Sequence, residues 1–94
     1  MINIRRAEAT ELLKINKKIF NEIDKFCDNF DKETVLQEGD KINEIILDLL
    51  NIPREDKKRG IKDQVYCIIY NFILENNDYT AEEVIDMLLS LKEG

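Results

Sequence analysis

The sequence predicts an all-α fold in which four helices pack as an antiparallel up-down bundle. Four apolar stripes follow one another, and in each stripe the large apolar residues recur at the three- and four-residue steps of a helix. The chain has only three Gly and one Pro, and no run alternates apolar and polar residues as a strand would. The links between the stripes are short, which favours antiparallel neighbours.

The first stripe predicts a long amphipathic helix that Asn3 can cap at its start. One face of this helix should be buried and the opposite face should be solvated. The residues predicted to face the core are Leu12, Ile15, Ile19, Phe20, Ile23, Phe26, Cys27 and Phe30. The residues predicted to face solvent are Lys14, Lys17, Lys18, Glu22 and Lys25.

The second stripe predicts a helix that ends before Pro53, because proline disfavours helical geometry in the residue that precedes it. Its start has two interpretations. Either Asp31 or Thr34 caps the helix, or Gly39 interrupts the early turns and the helix begins at Asp40. The residues predicted to face the core are Val35, Leu36, Ile42, Ile45, Ile46, Leu49 and Leu50.

The third stripe also leaves its start open. Pro53 can open the helix at its first position, which makes Gly60 an interior weak point. Alternatively, residues 53–60 form a loop and the helix begins near Ile61. The residues predicted to face the core are Ile61, Val65, Ile68, Ile69, Phe72 and Ile73.

A capping box, Thr80-x-x-Glu83, predicts the start of the fourth helix. Two carboxylates, Glu82 and Glu83, fall in the first turn, where the helix dipole favours negative charge. The apolar stripe that follows is Val84, Ile85, Leu88 and Leu91.

Length and composition predict one cytoplasmic domain that spans residues 1–94. A chain of 94 residues can bury one modest core without disulfides or metals. The first residues lack the apolar core of a signal peptide, and no apolar run approaches the roughly 20 residues of a membrane-spanning helix. Cys27 and Cys67 lie far apart without a CxxC motif, so they are predicted to be two reduced core thiols.

The residue inventory argues against an enzyme, a cofactor or a metal site. The chain has no histidine, so nucleophilic serine or cysteine chemistry lacks its usual base, and zinc or di-metal sites lack their usual ligands. The acidic segment from Asp28 to Asp40 fails as an EF-hand, because neither register places the required oxygen ligands and glycine.

Two features are candidates for a surface that binds another protein, although the first also fits a solvated loop or helix start and the second also fits the edge of the core. The segment from Pro53 to Lys62 holds five cations in an otherwise acidic chain, and Tyr66 and Tyr70 lie one turn apart on the third helix. The predicted partner-binding residues are Arg54, Lys57, Lys58, Arg59, Lys62, Tyr66 and Tyr70. The net charge of −6 argues against nucleic acid as the partner. A self-complementary tyrosine face would make the protein a homodimer.

The segment from Tyr70 to Leu91, YNFILENNDYTAEEVIDMLLSL, resembles the last helix pair of the enterocin A and pediocin type bacteriocin immunity proteins. In those proteins a short aromatic-Thr junction joins the third and fourth helices, and here Tyr79 and Thr80 occupy that junction. The resemblance implies a cytosolic four-helix bundle without enzymatic activity. It also implies that the protein protects its producer by binding a membrane sugar-transporter component from the inside.

Two other functions remain open at the level of the sequence. One is a phage or mobile-element inhibitor that binds a nucleic-acid enzyme through its acidic surface. The other is a structural homodimerisation module that uses the face of Tyr66 and Tyr70. An immunity-type protein-binding module is the most specific of these hypotheses, and it is motivated by the four-helix pattern and the junction from Tyr79 to Glu83.

Overall fold

The protein is built from helices, and no strand occurs in the part of the chain that the structure describes. This structure is a computed structural model. It describes residues 4–26, 32–52, 60–74 and 78–93, and all of their side chains except those at 32–36, 62, 92 and 93. The helices are α1 (Ile4–Phe26), α2 (Lys32–Leu49), α3 (Ile61–Leu74) and α4 (Ala81–Glu93). The all-α prediction is therefore confirmed.

The second helix begins earlier than one interpretation of the sequence expected. Helix α2 starts at Lys32 and passes through Gly39 without a break, so the start at Asp40 is wrong. Thr34 lies inside the first turn and is not the cap, while Asp31 falls outside the described residues. Space for a methyl group is open at Gly39, which shows that the backbone there needs no glycine.

The end of α2 is set by a Schellman motif. The backbone N–H of Ile52 donates to the carbonyl of Leu47 at 2.9 Å, and that of Asn51 donates to the carbonyl of Asp48 at 3.2 Å. Asn51 has a φ of 55°, the left-handed conformation that this motif requires. Leu47 and Ile52 are both buried, as the hydrophobic contact of the motif demands.

The third helix begins at Ile61, which settles its start. Gly60 has a φ of 136°, a conformation open to glycine and strained for other residues. Its carbonyl accepts the first helical hydrogen bond from the backbone N–H of Gln64 at 2.8 Å. Gly60 is therefore the residue that caps α3, and the start at Pro53 is wrong.

The predicted capping box of α4 is confirmed. The backbone N–H of Glu83 donates to the Thr80 hydroxyl at 3.2 Å, and the backbone N–H of Thr80 donates to the Glu83 carboxylate at 3.4 Å. Both bonds satisfy amides that have no partner within the helix. The α4 stripe is buried as predicted at Val84, Ile85 and Leu88, and Leu91 packs at its edge.

One hydrophobic core lies between the four helices. Its members from α1 differ from the predicted ones, because α1 turns Ala9, Leu13 and Phe20 inward. Phe20 alone was predicted correctly among the residues that α1 fully buries. The buried apolar residues are Ala9, Leu13, Phe20, Ile42, Ile46, Leu47, Leu50, Ile52, Val65, Ile69, Phe72, Ile73, Ala81, Val84, Ile85 and Leu88.

Helices α1 and α3 form the centre of the packing. Each of them contacts the three other helices, whereas α2 and α4 do not touch within the described ranges. Two arginines in the first turn of α1 connect this helix to α2 and to α4. Arg5 donates to the carbonyl of Asp48 at 3.3 Å and to the side-chain oxygen of Asn51 at 2.6 Å, at the end of α2. Arg6 forms an ion pair with Asp86 on α4.

Predictions of burial were also made for three residues outside α1, namely Ile45, Cys67 and Cys27. Ile45 was expected in the core but is 46% exposed on α2. Cys67 carries a free thiol as predicted, yet this thiol is exposed and does not lie in the core. Cys27 lies outside the described residues. Among the helices that are described, none combines the length and the apolar composition that crossing a bilayer would need.

Candidate functional site

The predicted basic segment lies almost wholly outside the described residues. This applies to Arg54, Lys57, Lys58 and Arg59. Lys62 is the second residue of α3, one turn before Tyr66, and its side chain is not described. The basic segment therefore stays a prediction, and the structure brings together only the two tyrosines of the predicted site.

Tyr66 and Tyr70 form a stacked pair on α3. Their ring centroids are 5.9 Å apart and the ring planes differ by 23°, which is within the range of favourable aromatic pairs. Both side chains are half-buried, so the pair lies at the edge of the core. Burial raises the pKa of Tyr66 above its ordinary value, and the negative charge of Asp40 on α2 raises this pKa further.

A line of exposed apolar side chains runs along the second half of α1. We call Ile15, Ile19, Ile23 and Phe26 the α1 stripe. Their exposed fractions are 53%, 45%, 39% and 87%, and their spacing of four, four and three residues puts them on one helix face. The sequence predicted this face to be the core side of α1, and that prediction is wrong.

A groove lies on another side of α1, where the helix passes the end of α3 and the start of α4. Its volume is about 520 Å³. Four lysines of α1 line it, together with two aromatic rings from the α3–α4 region. These lining residues are Lys14, Lys17, Lys18, Lys25, Phe72 and Tyr79. We call this the lysine groove.

One lysine of the groove, Lys17, contacts the Phe72 ring at the base of the groove. The ammonium of Lys17 lies 4.2 Å from the centre of the Phe72 ring, which is the geometry of a cation–π contact. The ring of Phe72 is otherwise buried, so the lysine forms part of its cover. Tyr79, from the junction before α4, is 50% exposed at the same groove.

The other lysines of the groove extend into solvent. Lys14 pairs with Glu11 at 3.7 Å, and both side chains are more than half exposed, so this pair adds little stability. Lys18 and Lys25 are exposed. Glu22 is the single carboxylate among the lining residues that the structure describes. The groove therefore has a net positive charge in a chain whose net charge is −6.

Helix α1 thus has three distinct faces. With about 100° of rotation per residue, the centres of the core face, the α1 stripe and the lysine groove are about 120° apart around the helix axis. The stripe can contact an apolar surface, and the groove can hold negatively charged groups. Within the described residues, no group of three or more Cys, Asp or Glu side chains is close enough to share a metal ion.

The sequence contained signals for both surfaces. Ala9, Leu13 and Phe20 form a second apolar line on α1 at helical spacing, so the sequence offered two candidate core faces for this helix. Lys14, Lys18 and Lys25 form a visible row on one face. No local sequence pattern indicated that this row of lysines would lie beside Phe72 and Tyr79, because their proximity depends on how the helices pack.

No protein-family model, no curated protein sequence and no solved structure matches this chain.

Proposed function

We propose that this protein is a cytoplasmic, non-enzymatic protein-binding module, built as an antiparallel up-down four-helix bundle, that binds its partner through the α1 stripe. The observation that supports this proposal is the exposure of Ile15, Ile19, Ile23 and Phe26 along one helix face. Single exposed apolar side chains are common in proteins, but a contiguous row of four marks an interaction surface.

The shape and size of the stripe favour one helical segment of a partner protein as its occupant. The stripe extends from Ile15 to Phe26, which is about 16 Å along the helix axis. It exposes on the order of a few hundred Å² of apolar surface, whereas a stable interface takes roughly 800 Å² from each partner. A single amphipathic helix that lies along α1 fits this area, and a permanent homodimer through the stripe alone does not.

The more specific form of the proposal is a bacteriocin-immunity-type protein that binds a membrane sugar-transporter component from the inside. The resemblance of the segment 70–91 to the last helix pair of the immunity proteins supports this form of the proposal. That segment forms the end of α3, a junction with Tyr79 exposed, and α4 with its capping box at Thr80. A membrane component built from helices would offer the kind of segment that the α1 stripe is proposed to bind.

A pull-down with matched variants tests the proposal. The tagged protein is incubated with a lysate of a Gram-positive bacterium that includes detergent-solubilised membranes, and bound proteins are identified by mass spectrometry. We expect a sugar-transporter component, in larger amounts after bacteriocin is added. Ile19→Asp should abolish this capture, and Ile45→Asp, which changes an equally exposed isoleucine of α2, should preserve it.

The other outcomes separate the competing functions. Capture of a soluble nucleic-acid enzyme would replace the immunity proposal with the phage-inhibitor function. Capture of the protein itself, with a dimeric mass in sedimentation, would favour the homodimerisation module. Retention of every partner by Ile19→Asp would rule out the α1 stripe as the contact surface. Circular dichroism of both variants shows whether the helical fold is intact.

The basic segment is tested in the same assay. Lys57→Glu combined with Arg59→Glu reverses two of the predicted contact charges. Loss of capture with unchanged helicity would add the segment to the binding surface. Unchanged capture would remove it from the proposal.

A further inference from the structure

The lysine groove has an electrostatic character that the proposed function does not use. The described lining holds four lysines of α1 and one carboxylate, Glu22, and Lys14 also pairs with Glu11 beside it, so lysines outnumber carboxylates here in a chain with a net charge of −6. Like charges held together on a helix face destabilise the helix slightly. A ligand with negative groups would relieve this repulsion, so the groove favours an anionic ligand.

The spacing of the cations distinguishes between kinds of anion. Lys14, Lys18 and Lys25 follow one another at four and seven residues, so the row is about 16 Å long. A single phosphate group is best held by donors that converge on one point, and a row of this length does not converge. Lysine is also a flexible point charge without the planar fork with which arginine binds phosphate. A row of separate carboxylates on an extended or helical peptide matches the lysine row.

The floor of the groove offers an apolar contact as well. Phe72 lies beneath the ammonium of Lys17, and Tyr79 is half exposed beside it. Lys17 covers the ring of Phe72, whereas the ring of Tyr79 is accessible from the groove. An apolar side chain placed between the carboxylates of a ligand would pack on Tyr79.

We propose that the lysine groove binds an acidic segment of a partner protein that carries an apolar side chain among its carboxylates. The net charge of −6 opposes long nucleic acids and anionic membranes, because both extend far beyond the groove and meet the acidic remainder of the surface. A short acidic segment of about the length of the lysine row does not need to extend beyond the groove. The groove and the α1 stripe lie on different sides of α1, so this proposal does not depend on the one above.

The experiment titrates the whole protein with three probes and follows its amide NMR signals. The first probe is a short synthetic peptide of alternating Glu and Ala with one central Phe. The second is inorganic pyrophosphate, and the third is vesicles of phosphatidylglycerol. The proposal expects saturable shifts from the peptide at residues 14–25, at Phe72 and at residues 79–81. Equal or larger saturable shifts from pyrophosphate or vesicles at these residues would overturn it, as would the absence of saturable shifts from the peptide.

A matched pair of charge reversals gives the second measurement. Lys18→Glu changes the groove, whereas Lys41→Glu makes the same change on the exposed surface of α2. Lys18→Glu should weaken peptide binding roughly three- to tenfold, the effect of losing one exposed ion pair and adding a repulsion. Lys41→Glu should weaken it much less. Equal weakening by both variants would mean that only the net charge matters, which would overturn the assignment to the groove.

A variant of the stripe separates this proposal from the first one. Ile19→Asp leaves the lysine groove unchanged, so it should bind the acidic peptide as the original protein does. If Ile19→Asp abolishes both partner capture and peptide binding while its helicity is intact, the two faces form one surface and the groove is not an independent site.

Discussion

The ammonium of Lys17 lies 4.2 Å from the centre of the Phe72 ring and so joins the outer side of α1 to the end of α3. This contact places a charged side chain over a ring that belongs to the core. It fixes one wall of the lysine groove and gives Lys17 a structural role that its neighbour Lys18 does not share, because Lys18 is exposed.

Replacement of these two lysines by alanine should separate the contact from the general effect of losing a surface charge. Lys17→Ala should lower the free energy of unfolding by about 1 kcal/mol, because it removes the cation–π contact and part of the cover of Phe72. Lys18→Ala should change it by less than about 0.5 kcal/mol. Both variants gain the same helix propensity, so their difference in urea unfolding isolates the contact. Equal effects would contradict the structural role of Lys17.

The rotation of α1 about its axis gives the second prediction. Leu13 is fully buried and Ile15 is 53% exposed, although both are large apolar residues two positions apart. Leu13→Ala should cost about 2–5 kcal/mol of unfolding free energy, because it leaves a cavity in the core. Ile15→Ala should cost at most about 0.5 kcal/mol. Thermal and urea unfolding check both values, and the reverse order would restore the orientation that the sequence predicted.

The error in α1 has a physical reason. Hydrophobic periodicity detects a helix face that avoids water, and a core face and a binding face have the same spacing. The stripe through Ile15, Ile19 and Ile23 is the stronger apolar pattern, whereas the true core face includes the small residue Ala9 and the polar residue Thr10. Thr10 satisfies its hydroxyl within the helix by donating to the carbonyl of Arg6 at 2.9 Å, so burying it costs little.

Local chemistry predicted the start of α4, whereas it left the start of α3 open between Pro53 and Ile61. The Thr80–Glu83 box forms within four residues, so its sequence is sufficient to specify it. Gly60 likewise acts through its own backbone conformation. The lysine groove is different, because it joins residues 14–25 to Phe72 and Tyr79, which lie about fifty residues later in the chain. No local pattern specifies such a meeting.

The two described glycines should respond to alanine in opposite directions. Gly39 lies inside α2 with open space around the position of a Cβ atom, so Gly39→Ala should raise the free energy of unfolding by about 0.5–1 kcal/mol. Gly60 has a φ of 136°, so Gly60→Ala should lower it by about 1–3 kcal/mol. The measurement is the shift of the urea midpoint at constant slope. Destabilisation by Gly39→Ala would mean that α2 does not continue through that position.

The raised pKa of Tyr66 gives the last prediction. Burial is the main cause and the charge of Asp40 is the next, so the phenol keeps its proton to a higher pH in the folded protein than in the unfolded chain. The stability linked to the protonated Tyr66 phenol is fully present below its pKa in the unfolded chain, which is about 10. This stability is lost as the pH rises through the pKa of Tyr66 in the folded protein. The free energy of unfolding should therefore fall across this alkaline window. Tyr66→Phe should remove this part of the fall, and Asp40→Asn should lower the pKa of Tyr66 in a titration of tyrosinate absorbance. A Tyr66→Phe protein that loses stability at high pH as steeply as the original would show that Tyr66 titrates alike in both states.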